Sequence, residues 1–356
     1  MYEFLINITG SHILSFFIAA SAPLFLFILP YALFAVLAER KVSAHMQDRL
    51  GPMRTGYHGI LQTFADILKL IQKENIRSSK TDRTLFNIAP YLVFMGSFAA
   101  FAAIPFSSWF MGSSIEVGLF YFIAISSLVV AGILMAGWSS NNKYSLLGAM
   151  RSVSQIISYE IPTAIVILTM VMITGSLNLD TITNQQTSSF WNWYILGGAE
   201  FGISKFLLIP LMLGAFIIIF ISTLAEVNRT PFDIPEAESE LVSGFFTEYS
   251  GMKFAMFFLA EYANMLAVSF LITILFFGGY HSPFGYIGNT LGIEWLVPLE
   301  QFFWFSVKGL FFVFVQMWMR WTLPRLRVDQ LMEVCWKYLI PYSILILLLV
   351  GFVTLI

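Results

Sequence analysis

Long apolar runs separated by polar segments set the pattern of this chain. They can be drawn at 12–38, 85–110, 118–138, 157–176, 196–224, 252–278, 298–319 and 337–356. Each approaches or exceeds the ~20 helical residues that cross a bilayer. Lipid offers no water to satisfy backbone groups, and the runs lack the short alternation of barrel strands, so helices are predicted. Two runs are less regular: Pro162 interrupts 157–176 early, and polar Glu300 stands near the start of 298–319. The expectation is an all-α polytopic membrane helical bundle, about eight transmembrane helices with structured inner loops. Residues 1–356 would form a single integral membrane domain. The first run has no basic leader and is too long for a signal core, so it is read as a retained span.

The polar segments 39–84, 139–156, 225–253 and 320–337 contain 9, 2, 2 and 4 Lys/Arg, or 17 of the 19 in the chain. Lys205 and Lys308 lie inside apolar runs, and the opposite-side segments contain none. The positive-inside rule makes the four basic segments the inner loops. An even number of spans then places both termini on the outer side. Within the first loop, LQTFADILKLIQKENI (61–76) brings Leu61, Phe64, Leu68 and Ile71 towards one helical face. That pattern fits either a helix in the membrane interface or one packed beneath the bundle. The outer segment 177–192 is polar and reads as a surface loop.

Composition agrees: 58% of residues are hydrophobic, 37 are phenylalanine and only 11% are charged. The net charge of -2 adds little. Cys335 is the one cysteine, which excludes an intrachain disulfide and a cysteine-ligated iron–sulfur centre. His12, His45, His58 and His281 have no metal-site spacing, so no metal ligands are assigned, and no nucleotide-binding glycine motif occurs.

Against this low charge, EVNRTPFDIPEAESELVSGFFTEYSG (226–251) is rich in carboxylates. Asp233 and Glu236 match a capping box, with Pro235 in the first turn. Glu236 and Glu240 would then share a helical face and repel, while Glu238 points elsewhere. Glu226, Arg229, Asp233 and Lys253 could relieve part of that repulsion. A solvated acidic loop would also explain the segment alone. Glu160 at the start of one run and Glu261 well inside another change the balance, because ionised groups in lipid are costly and need protein or water partners. Either a structural polar network or a proton route would place carboxylates both at the surface and at depth. The basic block AERKVSAHMQDRLGPMRTGYHG, with Arg40, Lys41, Arg49 and Arg54, fits attraction to anionic lipid or a docking face for a soluble partner.

Four stretches carry a family resemblance. ERKVSAHMQDRLGP with GILQTFADILKLIQKE, and GWSSNNKYSLLGAMRSVSQIISYE, resemble the first two inner loops of the NADH–quinone oxidoreductase H subunits, a family of respiratory complex I. AEVNRTPFDIPEAESELVSGFFTEYSG with FFLAEYANM resembles the family's strongest signature, and PRLRVDQLMEVCWK its last loop. The motifs run in family order across nearly the whole chain. The resemblance implies a membrane subunit of a proton-translocating NADH–quinone oxidoreductase, forming the quinone entrance and chamber floor. It would couple quinone reduction to proton translocation.

The same resemblance implies that Glu39, Arg40, Asp66 and Glu74 form a first-loop network. Arg229, Asp233, Glu236, Glu238 and Glu240 would lie beneath the quinone chamber, and Glu160, Glu226 and Glu261 are the proton-route candidates. Thr63 stands where the family usually has proline, so Thr63 could restore a helical bond. Ala38 precedes Glu39 where bacterial relatives often carry a second acid. Quinone is implied as substrate, with no FMN or iron–sulfur centre on this chain and no catalytic acid assigned. Implied partners are peripheral-arm subunits that complete the quinone site, neighbouring membrane-arm subunits and lipids, with no nucleic acid. The implied location is the bacterial inner membrane, with periplasmic termini. Competing readings are a related hydrogenase complex, an autonomous ion transporter and a structural anchor. The transporter lacks a visible inverted repeat.

Overall fold

Backbone hydrogen bonding in the computed structural model is almost entirely helical. It describes residues 24–111, 115–198, 203–235 and 238–355, with 10, 11, 14, 15 and 18. The isolated bridges Pro105–Met111 and Ser189–Phe284 are the extended pairings among them. The 12–38 run lies partly outside the described residues. From Leu24 it is helical, a π turn (Leu24–Ile28) leading into α1 (Leu29–Met46). Then follow α2 (Gln62–Gln72), α3 (Arg83–Ala99), α4 (Gly118–Ser139), α5 (Lys143–Thr174), α6 (Leu179–Gln185) and α7 (Ile203–Glu226). The chain closes with α8 (Glu238–Leu241), α9 (Gly251–Phe276), α10 (Ile287–Leu291), α11 (Leu296–Thr322) and α12 (Val328–Thr354).

Seven described helices are long and apolar enough to cross a membrane: α3, α4, α5, α7, α9, α11 and α12. These match seven of the eight expected runs. The largest departure is α5, which begins at Lys143 rather than near 157 because Asn142 caps it, its side chain accepting the Tyr144 N–H at 3.0 Å. Most of the expected 139–156 loop is therefore helix.

The most deeply buried span is α9, which packs against α1, α2, α3, α7 and α11. Glycine permits the tightest approaches in the bundle. A Cβ on Gly309 would stand 2.2 Å from the Phe270 ring, and one on Gly148 would meet the Gly244 backbone at 2.6 Å.

Prolines inside two spans free carbonyls that other elements satisfy. Pro162 lacks the N–H that would bond Ser158, and the Cys335 thiol donates to that carbonyl at 3.1 Å from a π turn of α12. Pro90 frees Phe86 in the same way, and the Tyr249 hydroxyl donates there at 3.3 Å. An unsatisfied carbonyl in lipid is costly, so these contacts make the prolines tolerable.

The 61–76 pattern does form a helix, α2, held against α1 and α9. Leu61, Phe64, Leu68 and Ile71 remain exposed on its outward face. Thr63 occupies its second residue, where an N–H has no intrahelical acceptor. Threonine in place of proline therefore restores no helical bond, contrary to the sequence expectation.

The intramembrane lysines both find backbone partners at the outer end. Lys205 donates to Trp191 O at 2.8 Å. Lys308 donates to Phe277, Gly279 and His281 carbonyls at 2.7, 2.9 and 2.7 Å and lies over the Trp193 ring. It thereby ties down the turn that follows α9.

Candidate functional site

Arg229 is placed by the way α7 ends. Asn228 adopts a left-handed conformation (φ 53°) just past the helix. Its N–H reaches Ala225 O at 3.1 Å, while Arg229 N–H reaches Leu224 O at 3.3 Å. This is the paired-bond Schellman stop, with asparagine filling the position usually taken by glycine. Gln155 on α5 pins the turn, donating to Ala225 O and Phe232 O, both at 2.8 Å. The turn delivers the Arg229 side chain into the protein, where it is 3% exposed.

There Arg229 bridges two carboxylates. It donates to Glu39 of α1 at 2.8 Å and lies 3.1 Å from Glu261 of α9. Arg320 of α11 also pairs with Glu39, the Tyr262 hydroxyl donates to Glu39 at 2.5 Å, and the Arg229 guanidinium stands over the Tyr262 ring. Burial opposes the Arg229 charge, but Glu261 and Glu39 outweigh it and hold its pKa well above the ordinary value. Among the described residues two Arg229 nitrogens, Nη2 and the Nε that faces Glu261 as an ion pair, are buried without a hydrogen bond.

Glu39 and Arg40 are neighbours with different roles. Glu39 is buried in the bridge, whereas Arg40 faces outward and donates to Asp66 of α2 at 2.6 Å. Burial alone would raise the Asp66 pKa, but the Arg40 hydrogen bond and charge, helped by Gln62 and Lys69, hold it below the usual range. Glu74 is exposed, and among the described residues its engaged group is the backbone carbonyl, bonded by Ser250. The expected first-loop network therefore separates into a buried bridge and a surface pair.

The carboxylate-rich segment also divides. Asp233 accepts from Arg325 at 3.0 Å rather than capping a helix, and the next described helix starts at Glu238. For Asp233, burial outweighs Arg325 and the other arginines, and its pKa is raised. Glu240 pairs with Arg151 of α5 at 2.7 Å. Glu236 and the Glu238 side chain lie outside the described residues. Lys253 donates to Asn87 at 2.6 Å.

Glu261 lies ten residues into α9, about 15 Å along it. Glu226 ends α7 and accepts from Thr163 of α5 at 2.8 Å, while Glu160 has one carboxylate oxygen buried without a partner among the described residues. Two cavities of about 40 Å³ each lie among these groups. One is lined by Glu160, Glu226 and Asn264, the other by Glu226, Glu261 and Asn264. The structure thus gathers Glu39, Arg229 and Glu261 in one bridge and sets Glu226 and Glu160 beside it. Sequence reasoning missed Tyr262, Thr163, Gln155, Arg320 and Arg325 as members. Only Tyr262 carried a local signal, through its place beside Glu261.

Residues 19–351 match the family model described as NADH dehydrogenase. The chain is 53% identical over 338 residues to the NADH-quinone oxidoreductase H subunit of Chlorobaculum parvum, covering 94% of this chain and 91% of that protein. It is 48% identical over 347 residues to the H subunit numbered 2 of Cytophaga hutchinsonii, covering 91% and 95%. To the Geobacillus thermodenitrificans H subunit it is 44% identical over 352 residues, covering 99% and 98%.

Proposed function

We propose, for a chain that belongs to the NADH dehydrogenase family alongside these H subunits, a role as the membrane subunit that couples quinone reduction to proton translocation. It is a multi-pass protein of the bacterial inner membrane. As a homologue of the H subunits, it associates with the other subunits of a proton-translocating NADH–quinone oxidoreductase, and residues 1–356 act there as one membrane unit.

Our finer reading places the quinone entrance and chamber floor on the inner side, beside α2 and the 226–251 segment. Flavin and iron–sulfur chemistry would reside on the peripheral-arm subunits that complete the quinone site. Neighbouring membrane-arm subunits and lipid would cover the remaining spans. Reduction of a quinone to a quinol takes up two electrons and two protons, which changes charge beside the inner loops.

The observation that carries the reading is the Glu39–Arg229–Glu261 bridge. It ties an inner helix end, an inner turn and an intramembrane carboxylate into one electrostatic unit. A charge change at the inner loops would alter how Arg229 divides its interaction between Glu39 and Glu261. Glu261, Glu226 and Glu160 would then carry the response inward. A hydrogenase module or a structural anchor would need no NADH-oxidising partner.

Purification of the intact assembly, subunit identification and photolabelling with a quinone probe test this reading. NADH-oxidising partners should copurify, with label on 39–72, 226–251 or the adjoining subunits. Absence of those partners, or specific label confined to the outer 177–195 segment, would contradict it.

A further inference from the structure

Glu261 and Asn264 stand one turn apart on α9, so they share a helical face. Asn264 lines both cavities, together with Glu226 and Val227, and each cavity has an otherwise mostly apolar wall. No hydrogen bond engages the Asn264 amide among the described residues. An amide in the middle of a span is an expensive choice, because leucine or alanine would pack there without a desolvation penalty. Asn264 instead lines the space that the carboxylates also line.

We propose that Asn264 is a positioning residue for proton transfer, holding water between Glu261 and the Glu226–Glu160 pair. A cavity of about 40 Å³ has room for roughly two or three waters when polar partners line it. The first cavity supplies Glu160, Glu226, Asn264 and Ser126; the second supplies Glu226, Glu261, Asn228 and Asn264. Asn264 and Glu226 are the polar side chains common to both. Glu226 can change its proton, whereas the amide cannot. Asn264 therefore orients water on either side of Glu226 without itself trapping a proton. The unpartnered Glu160 oxygen gives the deeper end an acceptor for that water. Proton transfer from Glu261 through one water to Glu226, and through a second to Glu160, breaks and forms one O–H bond at each step and needs no redox partner.

This inference rests on the proton-coupling reading above, so its test includes a control for that reading. Asn264→Val and Asn264→Thr have nearly the same shape and differ by a hydroxyl. Both are compared in the purified complex in closed vesicles. Electron transfer from NADH to a soluble artificial acceptor reports the integrity of the peripheral arm. Quinone reduction, proton-to-electron ratio and the solvent deuterium isotope effect report the coupled step.

Asn264→Val should slow coupled turnover about tenfold, the scale of one lost hydrogen bond at the limiting step. It should also enlarge the isotope effect, and Asn264→Thr should recover most of the rate. Should Val fail to assemble, Asn264→Ala and Asn264→Ser repeat the comparison at smaller volume. Equal rates in the apolar and hydroxyl variants, with an unchanged isotope effect, would overturn the role. Glu226→Gln separates the two levels. An impaired Glu226→Gln beside a normal Asn264→Val refutes Asn264 alone, whereas a fully coupled Glu226→Gln refutes the underlying proton route.

Discussion

Arg229 serves two carboxylates that the chain supplies from far apart, Glu39 lying 190 residues before it. Charge in an apolar chain makes each of the three residues conspicuous. Their meeting is not readable, because it depends on how α1, α7 and α9 pack. Gln155 and Tyr262 are still less visible: an uncharged amide and one tyrosine among 14 give no local warning. Removing one partner of a buried ion pair leaves the other charges uncompensated, typically at about 3–5 kcal/mol. Arg229→Ala should therefore lower the thermal stability of the purified assembly by that order. Arg229→Lys should lose less, since it keeps the charge but cannot span both carboxylates with a planar fork. Unfolding of Arg229→Ala at the wild-type midpoint would show that the bridge contributes nothing to stability.

Apolar runs located the spans well but not their ends. Hydropathy marks the part of a helix that meets lipid, and α5 continues beyond it into the inner region under an asparagine cap. The acidic segment failed differently. Local rules favoured a helix beginning near Asp233, yet a tertiary ion pair with Arg325 took that carboxylate. The outer end of α9 offers a pH test of the same kind of tertiary control. His281 bonds Tyr286 at 2.6 Å, and burial, then the Lys308 charge, depress its pKa from 6.5 to about 4, despite an opposing backbone bond with Thr183. The folded form thus favours neutral histidine, while the unfolded chain takes up a proton as pH falls through about 6.5. Stability is intact above that pH and declines between about 6.5 and 4. Amide protection across 277–286, taken as exchange relative to the intrinsic rate at each pH, should fall over this range and become less pH-dependent in His281→Asn. Equal pH dependence in both would exclude His281 as the cause.

Across the whole molecule, the positive-inside pattern and the helices give one consistent arrangement. Basic residues gather at the inner ends, and the two lysines inside apolar runs close backbone carbonyls at the outer end. The carboxylates follow the opposite course, from Asp66 and Asp233 near the inner loops to Glu261, Glu226 and Glu160 among the spans. The sequence pattern and family resemblance indicate this inward progression. The two cavities beside it are not readable, because they arise from side chains of five different helices.

Glu261 is the point where the buried bridge meets those cavities, which makes it the most direct place to test coupling. Glutamine keeps nearly the same shape and can still face Arg229, but it cannot take up and release a proton. The decisive measurement is the proton-to-electron ratio of purified Glu261→Gln complex in closed vesicles, with assembly and NADH–quinone turnover recorded on the same preparation. An assembled complex with impaired turnover and diminished proton translocation is the predicted result; full turnover at the wild-type ratio would contradict it.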